Sequence, residues 1–175
     1  VKLGVEHIWG GLDHLFFLLA LLALSNGLWS TVKIVTGFTV AHSLTLSLAA
    51  LGVVTVPAHI VEPLIAASIV WVAIENLIAP ASTGRRWLVA AIFGLVHGLG
   101  FATALEDLHL ARESLVSALV GFNLGVELGQ VVVVALAMPL VIWASRPGRA
   151  PRLPQFLSAA VALAGMGWLV ERVLA

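Results

Sequence analysis

Six apolar stretches, each of about 20 residues or more, constrain this chain more than any other feature, because that is the length a helix needs to cross the hydrocarbon core of a bilayer. They run over residues 8–26, 32–53, 61–80, 86–105, 114–144 and 155–174. Short polar or Pro/Gly-rich segments separate them: Ser25-Asn26-Gly27, Thr55 to His59 around Pro57, Ala79 to Arg86 with Pro80 and Gly84, Glu106 to Glu113, and Arg146 to Pro154. The expected fold is all-α, a polytopic membrane bundle of about six transmembrane helices forming a single domain over residues 1–175.

Composition agrees. Of 175 residues, 61% are hydrophobic and 10% charged, and the mean hydropathy is +1.08, well outside the soluble range of about 25% charged. A net charge of zero leaves no basic footprint for nucleic acid, so the expected partner is the lipid bilayer. The chain has no cysteine, so any metal would be held by nitrogen and oxygen donors. It opens on Val1 without a basic n-region before the first apolar run. That suggests a domain cut from a longer chain, with an extracytoplasmic domain upstream.

Basic residues sort between the two ends of the stretches. Lys33, Arg85, Arg86, Arg146, Arg149 and Arg152 flank one set of breaks, and Lys2, Arg112 and Arg172 the other. The positive-inside rule places the first set in the cytoplasm, so both termini are expected to be extracytoplasmic. Trp9, Trp29, Trp87, Trp143 and Trp168 fall near predicted helix ends, as interfacial anchors do, whereas Trp71 does not.

Ionisable and strongly polar side chains inside spans are costly and tend to face the bundle interior. His7 and His14 lie seven residues apart on one stripe of the first stretch, with Asp13 beside them and Gly10-Gly11 allowing close backbone approach. His42 lies mid-way along the second stretch among Thr39, Ser43 and Thr45, and His97 in the fourth within Gly94-x-x-x-Gly98. Asn123, Glu127 and Gln130, spaced four and three, share one face of the fifth stretch, with Gly121, Gly125 and Gly129 roughly opposite. Glu75 and Asn76 stand toward the cytoplasmic end of the third and are candidates for an inner gate. His59 and Glu62, with Pro63, suit capping of the third helix's first turn.

Each histidine alone could simply bond a hydroxyl or carbonyl on a neighbouring helix. Together they argue for a metal site arranged as a funnel, with His7, Asp13 and His14 on the outer side to receive the ion and His42, His97, Asn123 and Glu127 near mid-depth to hold it. Such donors suit nickel, cobalt, zinc, iron(II) or copper(II) rather than magnesium or calcium. A short internal match, Phe38-Thr39-Val40-Ala41-His42-Ser43-Leu44 against Phe93-Gly94-Leu95-Val96-His97-Gly98-Leu99, fits either a parallel repeat of helix pairs or chance.

These segments resemble the HupE/UreJ family of membrane proteins, in particular its second subgroup, which are proposed nickel/cobalt permeases. The resemblance rests on His7-Ile8-Trp9-Gly10-Gly11-Leu12-Asp13-His14, on Phe38 to Leu46, on Glu75-Asn76, on Phe93 to Ala102 and on Phe122 to Gln130. Where the main family pattern has two histidines in the fourth helix, Gly94 stands at the first and only His97 remains.

The resemblance implies a multi-pass permease or channel of a bacterial-type inner membrane for a divalent transition metal, Ni²⁺ or Co²⁺ foremost, with Zn²⁺ or Cu²⁺ as alternatives. The donors alone leave two other readings open: an intramembrane zinc-type hydrolase, and a metal-binding sensor or accessory protein. A transporter rather than an enzyme is the expectation, and a homo-oligomer fits the Gly stripes.

Overall fold

The computed structural model describes residues 1–24, 27–78, 83–100, 112–144 and 152–174. All regular structure in them is helical: α1 (Lys2–Gly10), α2 (Leu12–Ala23), α3 (Leu28–Ala50), α4 (Ala58–Ile78), α5 (Thr83–Leu99), α6 (Arg112–Ala144) and α7 (Leu153–Leu174). Over the described residues, α3, α4, α6 and α7 are each long and apolar enough to cross a membrane, and α1 with α2 qualifies as a pair bent by 72°. The described residues therefore form an all-helical, multi-pass membrane bundle.

The described residues give four spans, or five with the bent pair, where six unbroken ones were expected. Two physical reasons account for the difference. The first stretch is not one helix: Gly11 adopts an extended conformation (φ −82°, ψ 90°) that ends α1 and starts α2. The fourth is described only as the 17-residue α5, its expected continuation over residues 101–105 lying outside the described residues. Arg146, Arg149 and residues 106–111 of the expected Glu106 to Glu113 break also fall outside them. A smaller shift occurs in α4, which starts at Ala58, so Pro63 sits past the first turn, inside the helix.

Packing follows the small residues. A Cβ added at Gly94 would stand 2.5 Å from the Phe38 carbonyl oxygen, and one at Gly98 would collide with the His42 carbonyl and the Thr45 hydroxyl. The two glycines thus let α5 lie directly on α3, bringing the two halves of the internal match into contact. In the same way Gly4 and Gly125 bring α1 against α6, where a Cβ on Gly125 would come 3.0 Å from the Gly4 Cα.

α4 pairs with α7, and α2 sits among α1, α3, α4, α6 and α7. Its inward face supplies Phe17 and Leu21 to a core shared with Ile34, Phe38, Ile69 and Val72. Large apolar side chains such as Trp29, Trp71, Leu136 and Leu163 point outward. In lipid that arrangement costs nothing, because acyl chains are as apolar as the side chains themselves.

Candidate metal centre

The break at Gly11 builds the site. On a continuous helix His7 and His14 would be separated by roughly 10 Å along the axis. The bend instead brings the last turn of α1 and the first turn of α2 together, and the two rings lie 4.4 Å apart between centroids at 63°. The Gly11 N–H donates to the His7 carbonyl oxygen at 2.9 Å, closing α1. A side chain at Gly11 would meet that oxygen at 2.6 Å and His14 Nδ1 at 3.1 Å, so the glycine is required by proximity and not by its φ.

α3 contributes the third imidazole. One ring nitrogen from each of His7, His14 and His42 forms a group whose atoms all lie within 4.8 Å of one another. A transition metal with nitrogen ligands at about 2.1 Å asks for donors roughly 3.4 Å apart. Binding an ion would therefore draw the three donors closer together. His14 is the hub, its centroid 5.5 Å from that of His42 and 5.2 Å from that of His97 on α5.

The centre is deeply buried, with His42 at 0%, His97 at 1% and His14 at 8% exposure. His14 Nε2, both nitrogens of His42 and His97 Nδ1 are buried with no hydrogen-bond partner among the described residues. A buried polar atom left without a partner is costly, so a cluster of such atoms is the mark of a site shaped for something other than protein. Phe17, Phe38 and Phe122 surround the rings, with Phe38 stacked on His42 at 18° and 5.8 Å, and Phe122 5.3 Å from His7. His7, the remaining member of the triad, is only half-buried.

The other expected site residues are placed as follows. His97 donates or accepts through Nε2 with Ser68 Oγ at 2.9 Å, while its ring faces His14. Asn123, next to Phe122, has a buried Oδ1 with no hydrogen-bond partner. Asp13 turns away from the imidazoles and takes Arg172 of α7 on both oxygens, at 2.8 and 3.2 Å. Glu127 is exposed in a groove of about 270 Å³ between α3 and α6, with Thr31, Thr36 and Thr39. Its neighbour on the helix face, Gln130, is buried and accepts a hydrogen bond from Thr39 at 2.5 Å.

The gate candidates are both engaged. Glu75 pairs with Arg85 at 2.8 Å. Asn76 donates to the Ala20 carbonyl at 2.7 Å and to Ser158 Oγ at 3.2 Å, and its Oδ1 accepts from Arg86 at 3.0 Å. Arg86, only 4% exposed, also donates to the carbonyls of Ala20 and Leu21. These carbonyls belong to the last turn of α2, which has no intrahelical donors left for them. Arg86 and Asn76 thus cap α2 from neighbouring helices, with the cation at the negative end of the helix dipole. Sequence reasoning treated Arg86 as a loop charge and missed this role, since nothing local distinguishes it from Arg85.

The break between α1 and α2 makes the first stretch a discontinuous helix, and His7 and His14 meet across it. The profile of the HupE / UreJ protein family, in its second subgroup, matches residues 1–172. The chain belongs to the HupE/UreJ family. No curated protein and no solved structure gives a match. The three histidines that converge here, together with His97, all lie in the segments through which the sequence resembles HupE/UreJ proteins.

Proposed function

We infer that this HupE/UreJ protein moves a divalent transition-metal ion, nickel or cobalt foremost, across a bacterial-type inner membrane through the cluster of His7, His14 and His42. The observation that carries this reading is the triad itself: three imidazoles on three helices, inside an apolar bundle, with partnerless nitrogens on His14 and His42. Neutral nitrogen donors favour nickel, cobalt, zinc or copper and discriminate against magnesium and calcium. His97 stands beside His14 as the next donor inward, and Asn123 offers an amide oxygen on the α6 side.

By the positive-inside rule, Lys33 and Arg85 mark the cytoplasmic side and both termini face outward. The ion then arrives from the side where Asp13, Glu62 and Arg172 lie. Beyond the triad, Phe17, Leu21, Ile34 and Phe38 close the bundle, and the space beside His14 is about 10 Å³, room for one water at most. Passage therefore requires α1 and α2 to change their angle at Gly11. A buried three-imidazole set also resembles a hydrolytic zinc centre, but such a centre needs a substrate cleft, and so small a space favours a bare ion.

Uptake of radioactive Ni²⁺ into proteoliposomes tests the reading. Wild type should accumulate the ion, and His14→Ala and His42→Ala should fall to the level of empty vesicles. Equal uptake by wild type, both variants and empty vesicles would overturn transport.

A further inference from the structure

The ion pair between Asp13 and Arg172 joins residues 159 positions apart and is held at two points, Nη2 to Oδ2 at 2.8 Å and Nη1 to Oδ1 at 3.2 Å. Both side chains are about four-fifths buried, at 23% and 22% exposure. Asp13 lies in the first turn of α2 and Arg172 in the last turn of α7, so each charge also sits at the helix end whose dipole favours it. Arg172 reaches α4 as well, with Nη1 3.5 Å from the Glu62 carbonyl and Nε 3.9 Å from the Glu62 carboxylate. One guanidinium therefore ties the start of α2 to two other helices, one residue from His14.

Resting on the metal reading above, we propose that Arg172 is a positioning residue for the centre. Through Asp13 it fixes the first turn of α2, and with it His14, against α4 and α7. The Asp13 carboxylate, engaged by Arg172, stands outside the ion's ligand group. Among the described residues the ligand group comprises His7, His14 and His42 and omits Asp13, and consecutive helical positions point about 100° apart. When His14 faces the triad, Asp13 faces Arg172. An ion held by neutral imidazoles keeps its full charge in a poorly polarisable interior, and this weak hold suits an ion that must leave again.

The test is a Co²⁺ titration, read by visible absorption, of the protein in lipid nanodiscs. It compares wild type, Asp13→Asn, Arg172→Gln, the double variant, and the reversed pair Asp13→Arg with Arg172→Asp. Each single variant should bind about tenfold more weakly, as loss of an outer-shell partner of a metal ligand does. The double variant should be no worse than either single, and the reversed pair should recover most of the loss. Weakened binding in Asp13→Asn with none in Arg172→Gln would make Asp13 a ligand and overturn the proposal, as would losses that simply add.

The second measurement needs no metal. The chain has no native cysteine, so nitroxides at Leu3→Cys on α1 and Leu163→Cys on α7, both exposed positions, report the geometry across the break. Arg172→Gln should shift or broaden that distance, and an unchanged distribution overturns the positioning role. Wild type that takes up no Co²⁺ while the distance still responds to Arg172→Gln would sink the metal reading and leave the mechanical grip standing.

Discussion

Ser68 Oγ and His97 Nε2 lie 2.9 Å apart across the α4–α5 interface, fixing one nitrogen of an imidazole whose other nitrogen, Nδ1, is buried without a partner. Ser68 also donates to the Ile65 carbonyl within α4 at 2.6 Å. The hydroxyl therefore accepts from Nε2–H, which leaves Nδ1 as the lone-pair side of the ring. That is the state in which an imidazole can bind a metal.

Ser68→Ala should accordingly weaken metal binding. Removing the partner that sets tautomer and ring orientation is worth about tenfold in affinity. Ser68→Thr, which keeps the hydroxyl, should bind like wild type. Co²⁺ titration of the three proteins checks this; equal affinities would show that His97 takes no part.

Gly11→Ala should damage the centre without unfolding the bundle. The added methyl meets the His7 carbonyl at 2.6 Å and His14 Nδ1 at 3.1 Å, so α1 and α2 must move apart and the triad opens. Affinity for Co²⁺ should fall by about tenfold or more, with helix content by circular dichroism unchanged. Gly10→Ala, where a Cβ meets nothing within 4 Å, is the control and should behave as wild type.

Gly94→Ala probes the contact between α3, which carries His42, and α5, which carries His97. Its Cβ would stand 2.5 Å from the Phe38 carbonyl oxygen and 3.2 Å from the Ala41 Cβ, forcing α3 and α5 apart. Overpacking of this kind costs about 1–3 kcal/mol. The melting temperature in detergent should drop, and metal affinity with it.

Arg86→Met should separate stability from binding. It strips donors from the Leu21 carbonyl and Asn76 Oδ1 and leaves the Ala20 carbonyl with Asn76 alone, and buried groups left bare cost about 1–3 kcal/mol. His14 and Ala20 are six residues apart on α2, roughly 9 Å along the axis, so the triad should be untouched. A lower melting temperature with unchanged Co²⁺ affinity is the expected pair of results.

Much of this architecture is legible in the sequence, and what is not has a physical reason. The apolar runs place α3, α4, α6 and α7 because lipid demands length and apolarity from each span on its own. The Gly stripe of Gly121, Gly125 and Gly129 marks the α6 face that meets α1, because close approach needs small residues. That the histidines face the interior follows from the cost of leaving an imidazole in lipid, but the sequence separates His7 and His14, on the outer side, from His42 at mid-depth, and only the bend at Gly11 brings the three together.

The break at Gly11 is less legible, since its φ is one that any residue adopts and only the three-dimensional crowding explains the glycine. Glu127 shows the limit of spacing arguments. Asn123, Glu127 and Gln130 span a sector of about 60° around the helix, and the edge of the protein cuts through that sector, burying Gln130 and exposing Glu127. Asp13 and Glu75 face arginines from other helices, pairings that no local pattern encodes.

The central claim is that His7, His14 and His42 together hold a divalent transition metal inside the membrane. X-ray absorption at the nickel edge, on protein loaded with one equivalent of Ni²⁺ in nanodiscs, measures the ligands directly. The account predicts a first shell with imidazole scattering from at least three histidines, reduced by one ring in His42→Ala. A shell of oxygens alone, identical in wild type and His42→Ala, would contradict it.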